Sequence, residues 1–441
     1  MPEPQFVKNL HLLPDQPIVC LHHTDMDGVF SAIILKLYFR QVFFIGVNYG
    51  KPINYNAIPM NSIVFLVDFT PKPVDMKRLA AYNTLIYIDH HITYDKEEYK
   101  EFSTVEGIRS TECAGCKLVW RYIFPDQPAP RAVNMISDYD TWNFTNPDTL
   151  PFLYAMELLN INARSISDVK LRKIMYNDEY VNSQISMGKR IDTYIKKRNE
   201  LLSNDGAFIT EINGHKVIAM NIRNVNSMVL DAAAAKHPDI KLRSTFGFNS
   251  SIGKFKCSLY SDTTELTCQS VDSRFEGHPT AAGMECDFDQ LPYKLPTPDL
   301  NKPNTPDFVS ELVKMANDDE LIAKHDSASL GYLCKLNGYP ATFEGLSAFA
   351  VNHPYWTSKA MYNTDLITDY EIALFWNLTS SGWYRYRIYP LEKNRRTLEE
   401  LVKWIPGSKI VGSAVWCYRD KILTSDIPIN ENEYKPYMRK Q

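Results

Sequence analysis

The sequence lacks the features that mark a membrane-spanning, secreted or disulfide-stabilised protein. None of its apolar runs approaches the roughly 18 residues of a membrane-spanning helix. The first residues, Met1-Pro2-Glu3-Pro4, offer neither the basic nor the apolar region of a signal peptide. The 8 cysteines are scattered over 441 residues, which is typical of reduced thiols rather than of a disulfide framework. We therefore expect a cytoplasmic protein with no membrane partner.

An excess of positive charge is also missing. The formal net charge is −4, from 48 Lys and Arg against 52 Asp and Glu. The chain as a whole therefore does not attract nucleic acid by its charge. A polyanionic substrate would need a local positive site, which bound metal ions can supply.

Short apolar runs alternate with helical patterns over the first 90 residues. This alternation predicts an α/β domain at residues 1–155, with a parallel sheet and helices on its faces. The strands are expected at 17–21, 42–47, 63–67 and 85–88, and the helices at 29–39, 74–82, 112–124 and 130–137.

The rest of the chain changes texture three times. A charged helical pattern at 156–205 predicts a connector between two domains. Asn213-Gly214, a strong hairpin signal, opens a smaller α+β domain at 206–295. A proline-rich linker then leads to an α+β accessory domain at 306–441.

The accessory domain contains a faint echo of the domain before it. Residues 378–388 (LTSSGWYRYRI) resemble residues 249–259 (NSSIGKFKCSL). Two interpretations stay open, a decayed duplication of the second domain and an unrelated extension. In the duplication, Gly407 would be the counterpart of His278.

Tryptophans and arginines interleave in the accessory domain. They predict either a platform for single-stranded nucleic acid or an aromatic core with a charged surface. The residues concerned are Trp356, Trp376, Trp383, Trp404, Trp416, Arg385, Arg387, Arg395 and Arg396.

Acidic and histidine residues directly follow the predicted strands and helices of the first domain. They are the run HHTDMDG at 22–28, the single Asp68, DHH at 89–91 and DYD at 138–140. Ligands of an open parallel sheet bind at the carboxyl ends of its strands, so these groups are expected to converge. Each run by itself is typical of a turn or a helix cap, but their common position favours one shared site.

The chemistry of these residues points to metal ions. Carboxylate and imidazole ligands without thiolates suit Mn²⁺, Mg²⁺ or Fe²⁺. Two divalent cations about 3.5–4 Å apart can activate water and stabilise the charges of phosphoryl transfer. The sequence therefore predicts a two-metal phosphoesterase site in the first 140 residues.

The pattern H-x-D-x-D-G, a lone Asp, D-H-H and a fourth Asp resembles the four motifs of the DHH phosphoesterase superfamily. That superfamily includes RecJ-type exonucleases, nano-RNases, cyclic-dinucleotide phosphodiesterases and family II inorganic pyrophosphatases. Its second, DHH-associated domain carries G-G-G-H followed by A-A-G, which residues 275–283 (FEGHPTAAG) resemble. The resemblance covers residues 20–295 and implies two divalent cations, with Mn²⁺ favoured and Mg²⁺ as the alternative.

The resemblance also implies a set of metal ligands. One ion would be held by His23 and Asp25, and Asp68 would bridge the two ions. Two assignments stay open, because His22 could replace His23 and Asp140 could replace Asp138. The full implied set is His23, Asp25, Asp27, Asp68, His90 and Asp138.

Other residues are implied to contact the substrate. His91 would face the phosphate, and Gly277 and His278 would close over it from the second domain, so His91 and His278 are the expected catalytic residues. Tyr260 stands where the family often has an arginine. It would either stack on a base or pack within its strand.

These features lead to an enzyme that hydrolyses phosphodiesters, foremost an exonuclease or oligonucleotidase acting on short single-stranded RNA or DNA. One alternative is a phosphodiesterase for cyclic dinucleotides or other small phosphate esters. The other is a catalytically idle module that binds nucleotides or nucleic acid. Homo-oligomerisation stays open.

Overall fold

The computed structural model describes most of the chain up to residue 297 and parts of the remainder. The chain divides into two compact units, Met1–Asp192 and Thr193–Gln441. The domain limits expected at 155, 205, 295 and 306 remain predictions. The described residues are 16–223, 225–250, 252–297, 315, 319–325, 334, 338–353, 367, 369–391, 397–405, 408–411 and 414–419.

The first unit is built on a sheet of four parallel strands in the order β2-β1-β3-β4. The predicted α/β class with a parallel sheet is thereby confirmed. The strands are β1 Ile18–His23, β2 Phe43–Val47, β3 Ile63–Val67 and β4 Thr84–Ile88.

Both faces of this sheet are covered by apolar side chains. Val64 and Leu66 of β3 belong to one buried cluster, whereas Phe65 and Val67 belong to another on the opposite face. Successive strand residues point to opposite faces, so a strand covered on both sides needs an unbroken apolar run. The run IVFLV of β3 is fully buried for this reason.

Helices surround the first sheet and lead out of it. The expected continuous helical connector is interrupted, because one helix ends at Leu158 and two more begin at Asp168 and Asp178. The helices are α1 Met26–Tyr38, α2 Pro73–Tyr82, α3 Gly115–Ile123, α4 Arg131–Asp140, α5 Thr149–Leu158, α6 Asp168–Tyr176 and α7 Asp178–Gly206.

The second unit contains two six-stranded sheets with the same strand order and the same strand directions. The predicted hairpin at Asn213-Gly214 joins the first two strands. The first sheet consists of β5 Ala207–Ile212, β6 His215–Asn221, β7 Leu242–Asn249, β8 Lys254–Ser261, β9 Glu276–His278 and β10 Ala281–Cys286. The second consists of β11 Tyr339–Phe343, β12 Leu346–Asn352, β13 Ile372–Leu378, β14 Tyr384–Pro390, β15 Lys409–Val411 and β16 Ala414–Arg419. Helices α8 Asp231–Lys236, α9 Cys268–Val271 and α10 Leu398–Trp404 accompany them.

Two asparagines link these sheets with local two-fold symmetry. Asn221 ends β6 and Asn352 ends β12, and each donates a hydrogen bond to the other, at 3.4 and 3.0 Å. The side-chain oxygen of Asn352 accepts the backbone N–H of Phe248, and that of Asn221 accepts the backbone N–H of Leu378. One apolar core contains side chains from both sheets. The second unit thus has the construction of two copies of one fold packed around a common core.

The strand pairing changes the counterpart of His278. His278 pairs with Ala281, the first residue of β10, and Val411 pairs with Ala414, the first residue of β16. Val411 is therefore the counterpart by register, and the assignment to Gly407 was wrong because the segments between strands differ in length. Gly407 itself lies outside the described residues.

None of the helices in the described part of the chain is both long enough and apolar enough to cross a membrane.

Candidate metal centre

The predicted acidic and histidine residues of the first unit meet at the carboxyl edge of its sheet. Within the described residues, three groups place their potential ligand atoms within 4.8 Å of one another. Asp68 belongs to two of the groups and so does His90, which makes the three groups one continuous cluster. The groups are His23, Asp25 and Asp68; Asp27, His90 and Asp140; and Asp68, Asp89, His90 and His91.

The H-x-D-x-D-G motif forms the junction between β1 and α1. Asp25 caps α1 by accepting the backbone N–H of Gly28 at 3.0 Å, and its second oxygen lies 2.7 Å from Nδ1 of His23. A Cβ atom at Gly28 would lie 2.2 Å from the carbonyl oxygen of His23, so this position requires glycine. The motif spacing thus places two carboxylates and one imidazole around a single tight turn.

Asp27 is held by the start of another helix. Its carboxylate is almost fully buried and accepts the backbone N–H groups of Gly115 and Cys116, at 2.7 and 2.8 Å. Unpaired N–H groups at a helix N-terminus stabilise negative charge. A Cβ atom at Gly115 would lie 2.9 Å from both Asp27 and Asp68, so α3 approaches the cluster closely.

Asp68 lies at the centre of the cluster in an unusual environment. Its backbone has a φ of 54°, a left-handed conformation that non-glycine residues rarely adopt and that often marks functional sites. It is 1% exposed, and neither carboxylate oxygen has a hydrogen-bond partner. Its oxygens lie 3.2 Å from Nε2 of His90 and 3.9 Å from Nδ1 of His23. Burial and the negative charges of Asp27 and Asp25 raise the pKa of Asp68 well above its usual value.

The structure brings Asp140, not Asp138, into the cluster. Oδ2 of Asp140 lies 3.2 Å from Nε2 of His90 and has no hydrogen-bond partner. The carboxylate of Asp138 is turned to the following loop, where it accepts four hydrogen bonds from Thr145, Asn146 and Thr149. The implied ligand Asp138 is therefore replaced by Asp140, the alternative left open by the sequence. The oxygens of Asp138 already accept hydrogen bonds from the loop.

The structure likewise places His23, not His22, in the cluster. His22 is buried, and its Nδ1 lies 2.7 Å from the backbone carbonyl oxygen of His23. Burial, together with the nearby Arg164 charge, lowers the pKa of His22 despite that hydrogen bond. His23 faces Asp25 and Asp68 and is the member of the cluster.

Asp89 orients His91, a role that was not predicted from the sequence. Asp89 is fully buried and lies 2.8 Å from Nδ1 of His91, while Thr70 donates its hydroxyl to the same carboxylate. Burial lowers the pKa of His91, but this hydrogen bond and the charges of Asp89, Asp27 and Asp25 outweigh it, and the net shift is upward. The signal was available, since Asp89 is the first residue of D-H-H. Thr70 had no such signal.

The residues present fit divalent cations. The two oxygens of Asp68 and Oδ2 of Asp140 are buried without a hydrogen-bond partner, and buried carboxylates of this kind require a positive charge nearby. Burial and the negative charge of Asp27 raise the pKa of Asp140 to about 9. Oxygen and imidazole ligands without sulfur are those expected for Mn²⁺ or Mg²⁺.

The remaining predicted residues lie in the second unit, on neighbouring strands of its first sheet. Tyr260 and His278 both pair with Ala281, so all three form one cross-strand row. The backbone N–H of Thr280 donates to Nδ1 of His278 at 3.3 Å, which leaves Nε2 to carry the proton. Gly277 has a φ of 137°, a conformation that favours glycine.

Tyr260 also lines a pocket of about 640 Å³ on this face of the sheet. Lys256 and Arg274 bring positive charge to its lining, and Glu276 and Glu285 bring negative charge. The pocket therefore has local positive groups without a net excess.

The second sheet has no corresponding open face in its described part. Trp416 is the register counterpart of Gly283 and Arg385 that of Lys256, and both are buried. Trp376 is also buried and donates its indole N–H to Tyr339. For Trp376 and Trp416 the aromatic core is the correct interpretation and the single-strand platform is wrong. Arg385 is buried with them, whereas both interpretations expected it at the surface. Trp356, Arg395 and Arg396 lie outside the described residues.

Comparison with known protein families gives a match within the first unit. The family model "DHH family, N-terminal domain" matches residues 17–140. No curated protein matches the chain.

Several solved structures resemble the chain at low TM-scores. A pGpG-specific phosphodiesterase from Vibrio cholerae is 12% identical, with 68% of this chain and 100% of that chain covered and a TM-score of 0.39. An exopolyphosphatase-related protein from Bacteroides fragilis is 15% identical, with 70% and 92% covered and a TM-score of 0.32. CDC45 from Entamoeba histolytica is 10% identical, with 96% and 95% covered and a TM-score of 0.22. At these TM-scores the structural similarities support no conclusion about this chain, and the family assignment rests only on the match to residues 17–140.

Proposed function

Because the chain belongs, through residues 17–140, to the DHH family of phosphoester hydrolases, we propose that it is a phosphodiesterase for short single-stranded oligonucleotides. The observation that carries the proposal is the position of Asp68. This buried carboxylate has both oxygens free of hydrogen bonds and is grouped with His23 and Asp25. Its Oδ1 also lies 3.2 Å from Nε2 of His90, which is grouped with Asp27 and Asp140. A carboxylate in that position suits the bridge of a two-metal site.

The proposed ligands divide between two ions that share Asp68. His23 and Asp25 would hold one ion, and Asp27, His90 and Asp140 the other. When bound, two divalent cations lower the pKa of a water molecule and neutralise charge on the phosphoryl oxygens. Mn²⁺ is the favoured ion and Mg²⁺ the alternative, because both accept carboxylate and imidazole ligands.

His91 is proposed to bind the phosphate. Its Nδ1 atom is engaged by Asp89, so Nε2 is the atom left for an anionic substrate. The imidazole is about one-third exposed, which leaves it accessible from solvent. With a raised pKa, it can donate a charge-assisted hydrogen bond to a phosphoryl oxygen and stabilise developing negative charge.

The first sheet of the second unit is proposed to bind nucleotide. Tyr260 offers a ring for a base, Lys256 offers a charge for a phosphate, and His278 offers a donor at Nε2. The described residues of the second sheet form no matching open face, which supports different roles for the two sheets. The first sheet would contact the substrate, and the second would complete the core.

The complete set of ligands favours an enzyme over an idle binding module. A retired site has no need to keep several carboxylates buried without hydrogen bonds, because unpaired buried charge destabilises the fold. Cyclic dinucleotides and pyrophosphate remain competing substrates for the same chemistry.

The test is hydrolysis of a substrate panel by the purified full-length protein with Mn²⁺ or Mg²⁺. The panel contains labelled RNA and DNA from dinucleotides upward, cyclic dinucleotides and pyrophosphate. We expect the shortest linear oligonucleotides to be cleaved fastest, and we expect Asp68→Asn to abolish cleavage. Faster turnover of pyrophosphate or of a cyclic dinucleotide would overturn the proposed substrate. Equal activity of folded Asp68→Asn would overturn the two-metal assignment.

A further inference from the structure

A tight turn lies beside the proposed metal centre at residues 48–51. The backbone N–H of Lys51 donates to the carbonyl of Asn48 at 3.1 Å, and Gly50 has a φ of 76°. These features define a type II turn with Tyr49 at its second position. Thr24, inside the H-x-D-x-D-G motif, donates its hydroxyl to the side chain of Asn48 at 2.7 Å. The turn is thus tied directly to the loop that carries two proposed metal ligands.

Tyr49 presents an aromatic ring to the metal centre. Its ring centroid lies 5.6 Å from that of His23 and 5.9 Å from that of His91. The ring also contacts Phe69, with centroids 4.8 Å apart. Despite these contacts the residue is 48% exposed. The ring therefore adjoins both halves of the cluster and still offers a large apolar surface to solvent.

The hydroxyl oxygen of Tyr49 takes part in a hydrogen bond within the protein. It accepts the backbone N–H of Thr70 at 3.3 Å, and Thr70 in turn contacts Asp89, which orients His91. This hydrogen bond fixes the direction of the ring without any substrate. An aromatic surface that is fixed in advance loses little entropy on binding another ring.

We propose that Tyr49 is a positioning and specificity-determining residue, which stacks on a nucleobase next to the phosphate at the metal centre. This inference rests on the proposed function and names the part of the substrate that the metal centre itself does not recognise. The ring has no charge with which to attract phosphate, so its contribution is to a planar aromatic group. It therefore favours nucleotide esters over pyrophosphate, which has no such group.

The experiment compares Tyr49→Ala and Tyr49→Phe in the full-length protein. Tyr82→Ala is the matched control, because Tyr82 is also exposed but lies far from the turn. It ends α2 just before β4, and β2 and β4 are the two outer strands of the sheet. The substrates are a dinucleotide and the same phosphodiester without its bases, both with Mn²⁺. Metal content and melting temperature are measured for each variant.

For Tyr49→Ala we expect KM for the dinucleotide to rise about ten- to a hundredfold, from the loss of one stacked base. We expect kcat to change less, and KM for the abasic ester to stay near the wild-type value. Tyr49→Phe keeps the ring and loses only the hydrogen bond from Thr70, so its KM for the dinucleotide should rise much less than that of Tyr49→Ala. Tyr82→Ala should resemble wild type. An unchanged KM for the dinucleotide, or an equal rise for both esters, would overturn the proposal.

The outcome separates this inference from the function on which it rests. If wild type cleaves neither ester, the proposed substrate is wrong. Tyr49 is then judged by equilibrium binding of the dinucleotide, which Tyr49→Ala should weaken by the same factor. Binding that is independent of the ring at position 49 would reject the stacking role as well.

Discussion

Oδ2 of Asp140 lies 3.2 Å from Nε2 of His90, whereas the carboxylate of Asp138, two residues earlier on α4, accepts four hydrogen bonds from the loop that follows. The two acidic residues of the D-Y-D run therefore have different tasks. Asp140 faces the proposed metal centre, and the carboxylate of Asp138 holds the loop that follows α4.

This difference predicts opposite phenotypes for two similar substitutions. Asp140→Ala should lose bound metal and hydrolysis while the protein stays folded. Asp138→Ala should keep its metal but lose about 1–3 kcal/mol in free energy of unfolding, since several charge-assisted hydrogen bonds disappear. Metal analysis and urea denaturation of both variants provide the measurement. Loss of metal in a folded Asp138→Ala protein, with Asp140→Ala unaffected, would reverse the assignment.

The metal-free protein should become less stable as the pH rises. Burial and the charge of Asp27 raise the pKa of Asp140 to about 9, so this carboxyl binds its proton more tightly when folded than when unfolded. The resulting stabilisation is fully present below the unfolded pKa of about 4 and is lost as pH rises through the folded pKa. Melting temperatures in a chelator should therefore fall between about pH 5 and pH 9.

Asp140→Asn is the matched variant for that pH dependence. It cannot ionise, so its metal-free form should melt higher than metal-free wild type at neutral pH and show a shallower pH slope. Added Mn²⁺ should raise the melting temperature of wild type more at high pH, because metal ions and protons compete for the same carboxylates. A metal-free wild type whose melting temperature rises over this range would contradict the assignment.

Asp89 should influence hydrolysis through His91. Asp89→Asn removes the charge that orients the imidazole and raises its pKa. Loss of such an orienting partner typically lowers activity or metal affinity about ten- to a hundredfold. The kinetic constants kcat and KM of Asp89→Asn, His91→Ala and the double variant are compared. If Asp89 acts through His91, its substitution should have little further effect once His91 is absent. Additive losses would show a separate role for Asp89, such as direct metal binding.

The sequence was sufficient to predict the acidic edge of the first sheet, because strand runs such as IVFLV end directly at Asp68. It was not sufficient to choose between Asp138 and Asp140. Residues two apart on a helix point about 200° apart, and only the packing of α4 determines which side faces His90.

The arginines of β14 were wrongly expected at the surface for a related reason. Whether Arg385 is at the surface depends on what covers its sheet, and Asp205 of α7 does so.

Arg385 and Asp205 form a buried ion pair within the second unit. The guanidinium makes two hydrogen bonds to the carboxylate, at 3.0 and 2.6 Å, and both residues are at most 5% exposed. Removing one partner leaves the other charge buried without compensation, which costs about 3–5 kcal/mol. Arg385→Ala should therefore greatly lower the free energy of unfolding, measured by urea denaturation.

The double variant Arg385→Ala, Asp205→Ala tests this cause. It removes both charges, so it should be more stable than Arg385→Ala alone. Where the variants remain folded, they should keep their bound metal, because the metal ligands belong to the first unit. A stable Arg385→Ala protein that nonetheless fails to cleave a dinucleotide would give Arg385 a direct role in substrate binding. That result would contradict the assignment of the second sheet to the core. In that sheet, Arg385 and Trp416 occupy the positions of the pocket residues Lys256 and Gly283 and are buried rather than open to substrate.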